Sequence, residues 1–194
     1  MWHKNGVSPL SRPRRAAAPL DETRLRELAL RYVGKYQTTR SKLCTYLARK
    51  LGERGWEGSV EPDLEAIADR FQELGYINDA AFALSRSRSL AGRGYGRRRL
   101  AEQLRSAGVR EEDSREAFDA AQVDAVSAAL RFARKRRIGP FASDAHDRQK
   151  SEKAVAAMVR AGHDPGLART IVNLNPAEDA DLVNLCESLR PDSA

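Results

Sequence analysis

From Asp21 onward, apolar residues return every three or four positions, the period of a helix with one buried face. In "LDETRLRELALRYVGKY", Leu25, Leu28 and Tyr32 share a face, with Ala29 and Val33 beside them. "TRSKLCTYLARKLG" repeats the pattern with Leu43, Leu47 and Leu51 and stops at Gly52. "EPDLEAIADRFQELG" has Pro62 in its first turn, turns Leu64, Ile67, Phe71 and Leu74 inward, and ends at Gly75. Proline suits a helix start because the N–H it lacks has no partner there, and glycine suits the end because it takes positive φ freely. "GERGWEGS" lies between the second and third segments and reads as a loop with Trp56 folded back on the core. "YINDAAFALSRSRSLAG" follows, with Asn78 or Asp79 as its cap and Phe82 facing in, then "YGRRRLAEQLRSAGV" and "REEDSREAFDAAQV". The last three segments are "AVSAALRFARKRRIG", "DRQKSEKAVAAMVRAG" and "DPGLARTIVNL", the final one capped by Asp164 with Pro165 as its first helical residue.

These segments group into three similar units. The middle helices read "SKLCTYLARKLG", "RRRLAEQLRSAG" and "EKAVAAMVRAG", each ending in glycine. Leu43 and Leu47, Leu100 and Leu104, and Ala154 and Met158 hold equivalent places, 57 and then 54 positions apart. A period this long, filled by three helices, predicts an all-α chain of tandem three-helix repeats that bury their faces on one another. The divisions fall at 21–75, 76–123 and 124–175, with a basic flexible tail at 1–20 and a C-terminal tail at 176–194. Leu43, Leu47, Ile67, Phe71, Phe82, Leu100, Leu104 and Phe118 are the expected core.

Composition adds a sign to this scaffold. The 194 residues carry a formal net charge of +7, and only 6% are aromatic. Such an excess suits a polyanion or an acidic protein surface. Cys44 and Cys186 match no metal or redox spacing and read as reduced thiols. No apolar run has the length of a membrane span, and "MWHKNGVSPLSRPRRAAAPL" lacks the apolar stretch of a secretory signal. A cytoplasmic monomer is expected.

The chemistry-bearing candidate is "AGRGYGRRRL", residues 91–100. A dinucleotide fingerprint would need a third glycine where Arg97 stands, and a preceding strand; a helix precedes it instead. Gly92 and Gly94 therefore read as a helix end and tight connection, and Gly96 as a point of close backbone approach. Between Leu84 and Arg110 eight arginines (86, 88, 93, 97, 98, 99, 105 and 110) face one acid, Glu102. Arg98, Glu102 and Arg105 fall on one helical face, so one arginine can pair with Glu102, and the rest stay unneutralised. "RFARKRR" adds a second run, with Arg134, Lys135, Arg136 and Arg137 at its end. The two runs predict a shared anion-facing surface, although the guanidinium fork suits phosphate and carboxylate equally. His3, His146 and His163 have no triad or metal spacing, and no carboxylate pair is placed for acid–base work. No catalytic, cofactor or metal residue is expected.

Residues 74–109, "LGYINDAAFALSRSRSLAGRGYGRRRLAEQLRSAGV", closely resemble the central repeat of RecX proteins, bacterial regulators of the RecA recombinase. The matching features are Gly75, Tyr76 and Ile77, with Asp79 and Phe82, then the Gly94-Tyr95-Gly96 turn, then Leu100, Leu104 and Gly108. The likeness extends more weakly over 24–74 and 136–172; the loop at Trp56 and the alanine-rich last repeat depart from it. The resemblance implies an elongated, curved array lying in the helical groove of a RecA–single-stranded DNA filament. It further implies that such a chain limits filament growth, and with it strand exchange and co-protease activity in DNA repair and the SOS response. It implies no cofactor, any ATP hydrolysis being RecA's own. The competing reading is a plain DNA-binding protein, either sequence-nonspecific or a helix-turn-helix with Gly108 in its turn, and direct DNA contact fits either reading. Against that motif, its second helix "EEDSREAFDAA" is acidic where a recognition helix should not be.

Overall fold

The computed structural model describes residues 18–143 and 148–175, together with positions 184, 187 and 189. Among them the regular structure is helical: α1 (Glu22–Lys35), α2 (Arg40–Arg54), α3 (Leu64–Glu73), α4 (Asp79–Arg93), α5 (Arg97–Ser106), α6 (Glu111–Val123), α7 (Ala125–Arg136), α8 (Arg148–Arg160) and α9 (Pro165–Val172). A single 3-10 turn, Gly139–Phe141, follows α7. The only strand-like pairing among the described residues is the bridge between Leu20 and Trp56. The all-α expectation holds.

Short polar side chains start the helices where the sequence places them. Asp21, Thr39, Asp63, Asn78 and Asp164 each accept from an N–H in the following turn, an arrangement worth about 1 kcal/mol apiece. Asn78 rather than Asp79 caps α4. Pro62 precedes the α3 cap instead of lying in its first turn, because the Asp63 carboxylate takes the Ala66 N–H at 2.9 Å. Gly92 is helical, and α4 ends two residues later at Gly94, whose φ of 85° is left-handed.

Three apolar clusters form, one centred on each group of three helices. Leu25, Leu43, Leu47 and Phe71 anchor the first; Phe82, Leu100 and Leu104 the second; Leu130, Met158 and Ile171 the third. The alanine-rich third cluster packs by close approach, with Ala129, Ala133 and Ala168 fully covered. Four expectations need correction. Ile67 and Phe118 are only half-buried: Ile67 borders an open groove beside Trp56, and Phe118 is roofed by the Arg97 guanidinium at 4.6 Å. Leu74 is the α3 C-cap and points outward, 52% exposed. Leu20, expected to end the tail, is fully buried, held by its N–H to the Gly55 carbonyl and by its carbonyl to the Glu57 N–H. Trp56 does fold back on the first cluster, donating its indole N–H to the Val60 carbonyl at 2.7 Å. Residues 1–17, most of 176–194, Cys186, His3 and His146 lie outside the described residues.

Successive repeats meet through the N-terminus of a middle helix. At α2, the Thr39 hydroxyl donates to the Ala107 carbonyl at 2.6 Å, and the Arg40 N–H donates to Asp79 Oδ1 at 3.0 Å. At α5, the Gly96 N–H donates to the Ala161 carbonyl at 3.0 Å and the Arg98 N–H to the Gly162 carbonyl at 3.1 Å. That second joint explains why α5 needs no side-chain cap: its early N–H groups find their acceptors on the next repeat.

Candidate anion-facing interface

The glycine turn is a docking joint. Gly96 and Gly162 are buried face to face, and a Cβ on Gly162 would lie 2.5 Å from the Arg99 nitrogen and 3.0 Å from the Gly96 carbonyl oxygen. Close approach at Gly96 is thus realised between repeats. His163, 2% exposed, closes the joint by donating Nε2–H to the Gly94 carbonyl at 3.0 Å. Burial holds its pKa below the usual histidine value, opposed by that hydrogen bond, so its neutral form is favoured. Tyr95 lies at the turn's surface with the Arg93 guanidinium 5.6 Å over its ring. Gly75 and Tyr76 form the exposed α3–α4 turn, Tyr76 resting on Phe71 at 5.6 Å, while Gly108 makes the α5–α6 turn at a φ of 67°.

This joint aims the first turn of α5 over two clefts. Arg99 borders a cleft of about 400 Å³ between the first and second repeats, shared with Lys42, Phe82, Arg86, Glu102 and Ser106. Arg97 and Arg98 border a second of about 920 Å³ between the second and third repeats, lined also by Val126 and Leu167, with the exposed Val123 at its rim. Glu102 pairs with Arg99 at 2.8 Å rather than with Arg98 or Arg105, although all three lie within one helical turn of it. Arg97, Arg98, Arg99 and Arg105 are all exposed.

The second basic run meets the first at the end of α4. Arg131 donates to the Ala91 carbonyl at 3.2 Å and Lys135 to the Arg93 carbonyl at 3.1 Å, cations set on the negative end of a helix. Lys135 therefore carries a packing role beside its charge. Arg136 lies 5.7 Å over Phe132, and Arg137 ends α7 in the left-handed region at a φ of 52°. Arg134 and Arg88 are exposed and make no ion pair among the described residues. Arg110 is neutralised by Glu112 and Asp113, at 3.4 and 3.6 Å.

Lys42 is a member of this surface that the charge runs do not reveal, since it stands alone on α2. The repeat register reveals it: Lys42 precedes Leu43 as Arg99 precedes Leu100. Burial, then Glu65, pushes the Cys44 thiol up to about 11, leaving it protonated at neutral pH. Among the described residues no three His, Cys, Asp or Glu side chains gather as metal ligands, and no helix is long and apolar enough to cross a membrane.

Comparison with known proteins places this architecture. The family model described as "RecX, second three-helix domain" matches residues 78–117. The Regulatory protein RecX of Myxococcus xanthus is 33% identical over 174 residues, covering 86% of this chain and 91% of its own. That of Thermobifida fusca is 33% identical over 164 residues, covering 82% and 83%. The crystal structure of RecX from Lactobacillus salivarius superposes with a TM-score of 0.57 at 22% identity, over 77% of this chain and 93% of that one. At that identity the superposition speaks to the fold, an array of three-helix units.

Proposed function

The chain belongs to the RecX family, and from that premise we propose that it is a non-enzymatic, cytoplasmic, monomeric regulator of RecA. Its repeats, divided near residues 75 and 123, lie in the groove of the RecA–single-stranded DNA filament, limit its growth, and so restrain recombination and co-protease activity. The observation that carries this reading is the first turn of α5, where three consecutive exposed arginines overhang two inter-repeat clefts with one carboxylate between them. An exposed cation without a partner contributes little to the free protein, so its natural complement is an external anion. The helix-turn-helix alternative gains no support, since α6 begins with Glu111, Glu112 and Asp113 and lays its buried face, Ser114 and Ala117, in a packed core beside α4.

The test is the triple variant Arg97→Glu, Arg98→Glu, Arg99→Glu, assayed for helicity, thermal stability and inhibition of RecA ATP hydrolysis on single-stranded DNA. Losing one exposed ion pair and the Arg97–Phe118 stacking changes stability by only about 1 kcal/mol. Inhibition is expected to vanish in the folded variant, and wild-type inhibition to weaken as salt rises. Full inhibition by the folded variant would return these arginines to ordinary solvated surface.

A further inference from the structure

Lys42 and Arg86 come from different repeats yet lie over one ring. Lys42 Nζ is 4.9 Å from the centroid of Phe82 and Arg86 Cζ is 5.3 Å from it. Both side chains are half-buried, and neither is paired with a carboxylate among the described residues. Burial first, and then the charge of Arg86, holds the Lys42 pKa below the usual lysine value. Two like charges held together against solvent oppose one another, and an anion placed between them relieves both. The cleft they border, about 400 Å³, also receives Arg99, while Ser106 and Gln103 add neutral donors on its wall. Glu102 stands there too, already neutralised by Arg99 at 2.8 Å.

Resting on the filament reading above, we propose that this cleft holds one backbone phosphate of a single-stranded nucleic acid, with Lys42 and Arg86 as its cations and the Arg99–Glu102 pair as a neutral wall. Phosphate fits better than a protein carboxylate for two reasons. Donors converge here from α2, α4 and α5, from several directions, which suits a tetrahedral group with multiple oxygens more than the two coplanar oxygens of a carboxylate. A bare strand is also thin enough to thread between helices, whereas a carboxylate would bring a protein surface with it. Phe82 is 4% exposed and offers no face for a base to stack on, so the contact positions the strand without reading its sequence.

The experiment uses the full chain and fluorescein-labelled oligothymidylate, with anisotropy titrations over a salt series for wild type, Lys42→Gln, Arg86→Gln and the double variant. A shared phosphate makes the losses non-additive. Each single variant is expected to lower the slope of log affinity against log salt by about 0.7, and the double variant by the same ~0.7. Arg86→Lys, which keeps the charge, should restore the slope. An unchanged slope in folded variants overturns the site, as does a double-variant loss of about 1.4, which would mean two separate phosphates. Loss of RecA inhibition with unchanged oligothymidylate binding assigns the cleft to a RecA carboxylate, overturning the phosphate but not the regulatory role. Full inhibition by the α5 triple variant defeats that role and leaves these slopes to stand by themselves.

Discussion

The two joints between repeats place equivalent parts together by different means. In the repeat register, Thr39 stands where Gly96 stands one unit later, and Ala107-Gly108 where Ala161-Gly162 stand. The first joint works through side chains, with the Thr39 hydroxyl and the buried Asp79 carboxylate reaching across the gap. Around it lies a charged network in which Arg40 pairs with Glu65 and with Asp69 at 2.5 Å. At the centre of the second joint backbone meets backbone, with no side chain between Gly96 and Gly162, while the neutral His163 ring bonds the Gly94 carbonyl beside them. The first joint is tight too at one point, where a Cβ on Gly108 would meet the Ser41 side chain. A joint built on bare backbone tolerates little, which is why Gly94, packed on the Phe132 backbone, and Gly96, packed on Gly162, are needed there.

The largest break should come at the bare joint. In Gly162→Ala the new Cβ would lie 2.5 Å from the Arg99 nitrogen, on a residue whose φ of 95° already disfavours a side chain. Overpacking and backbone strain together should cost about 2–5 kcal/mol in urea unfolding. A loss below about 0.5 kcal/mol would show that the repeats slide apart without penalty.

A smaller loss is expected at the first joint. Thr39→Val keeps the shape but leaves the Ala107 carbonyl without its donor and the Lys42 N–H without its acceptor. Unsatisfied buried groups of this kind cost about 1–3 kcal/mol, and Thr39→Ser should recover most of it. Equal stability of the valine and serine variants would remove the hydroxyl from the account of this joint.

Acid provides the mildest contrast, and its sign differs between the joints. His163 has a lowered folded pKa, so the unfolded chain binds the proton more readily and stability declines as pH falls below about 6.5. Asp79 has a raised folded pKa, chiefly from burial and next opposed by its bond to the Arg40 N–H; the folded chain holds that proton more readily. Its contribution therefore grows more favourable as pH falls through the folded pKa toward 3.8. Thermal unfolding across this range should lose the first trend in His163→Gln and the second in Asp79→Asn. Identical pH profiles for wild type and both variants would detach the joints from these two residues.

Much of this protein is legible in its order of residues because helix periodicity, caps and turn glycines act over only a few positions. The pairing of Leu43 with Leu47 and of Leu100 with Leu104, the caps at Asn78 and Asp164, and the left-handed residue at Gly94 are all local facts. The repeat follows because the same local pattern recurs, and the charge excess follows from counting. What tertiary structure alone decided is who meets whom. Leu20 joins the core only because Gly55 and Glu57 fold back to pair with it. Lys135 rests on the Arg93 carbonyl, and Arg131 on that of Ala91. Lys42, Arg86 and Arg99 share one cleft although three different helices carry them. Periodicity records which face of a helix is buried, but it carries no record of which distant face lies opposite. That choice was made where backbones could approach, at Gly96 and Gly162, and where a side chain could bridge, at Thr39.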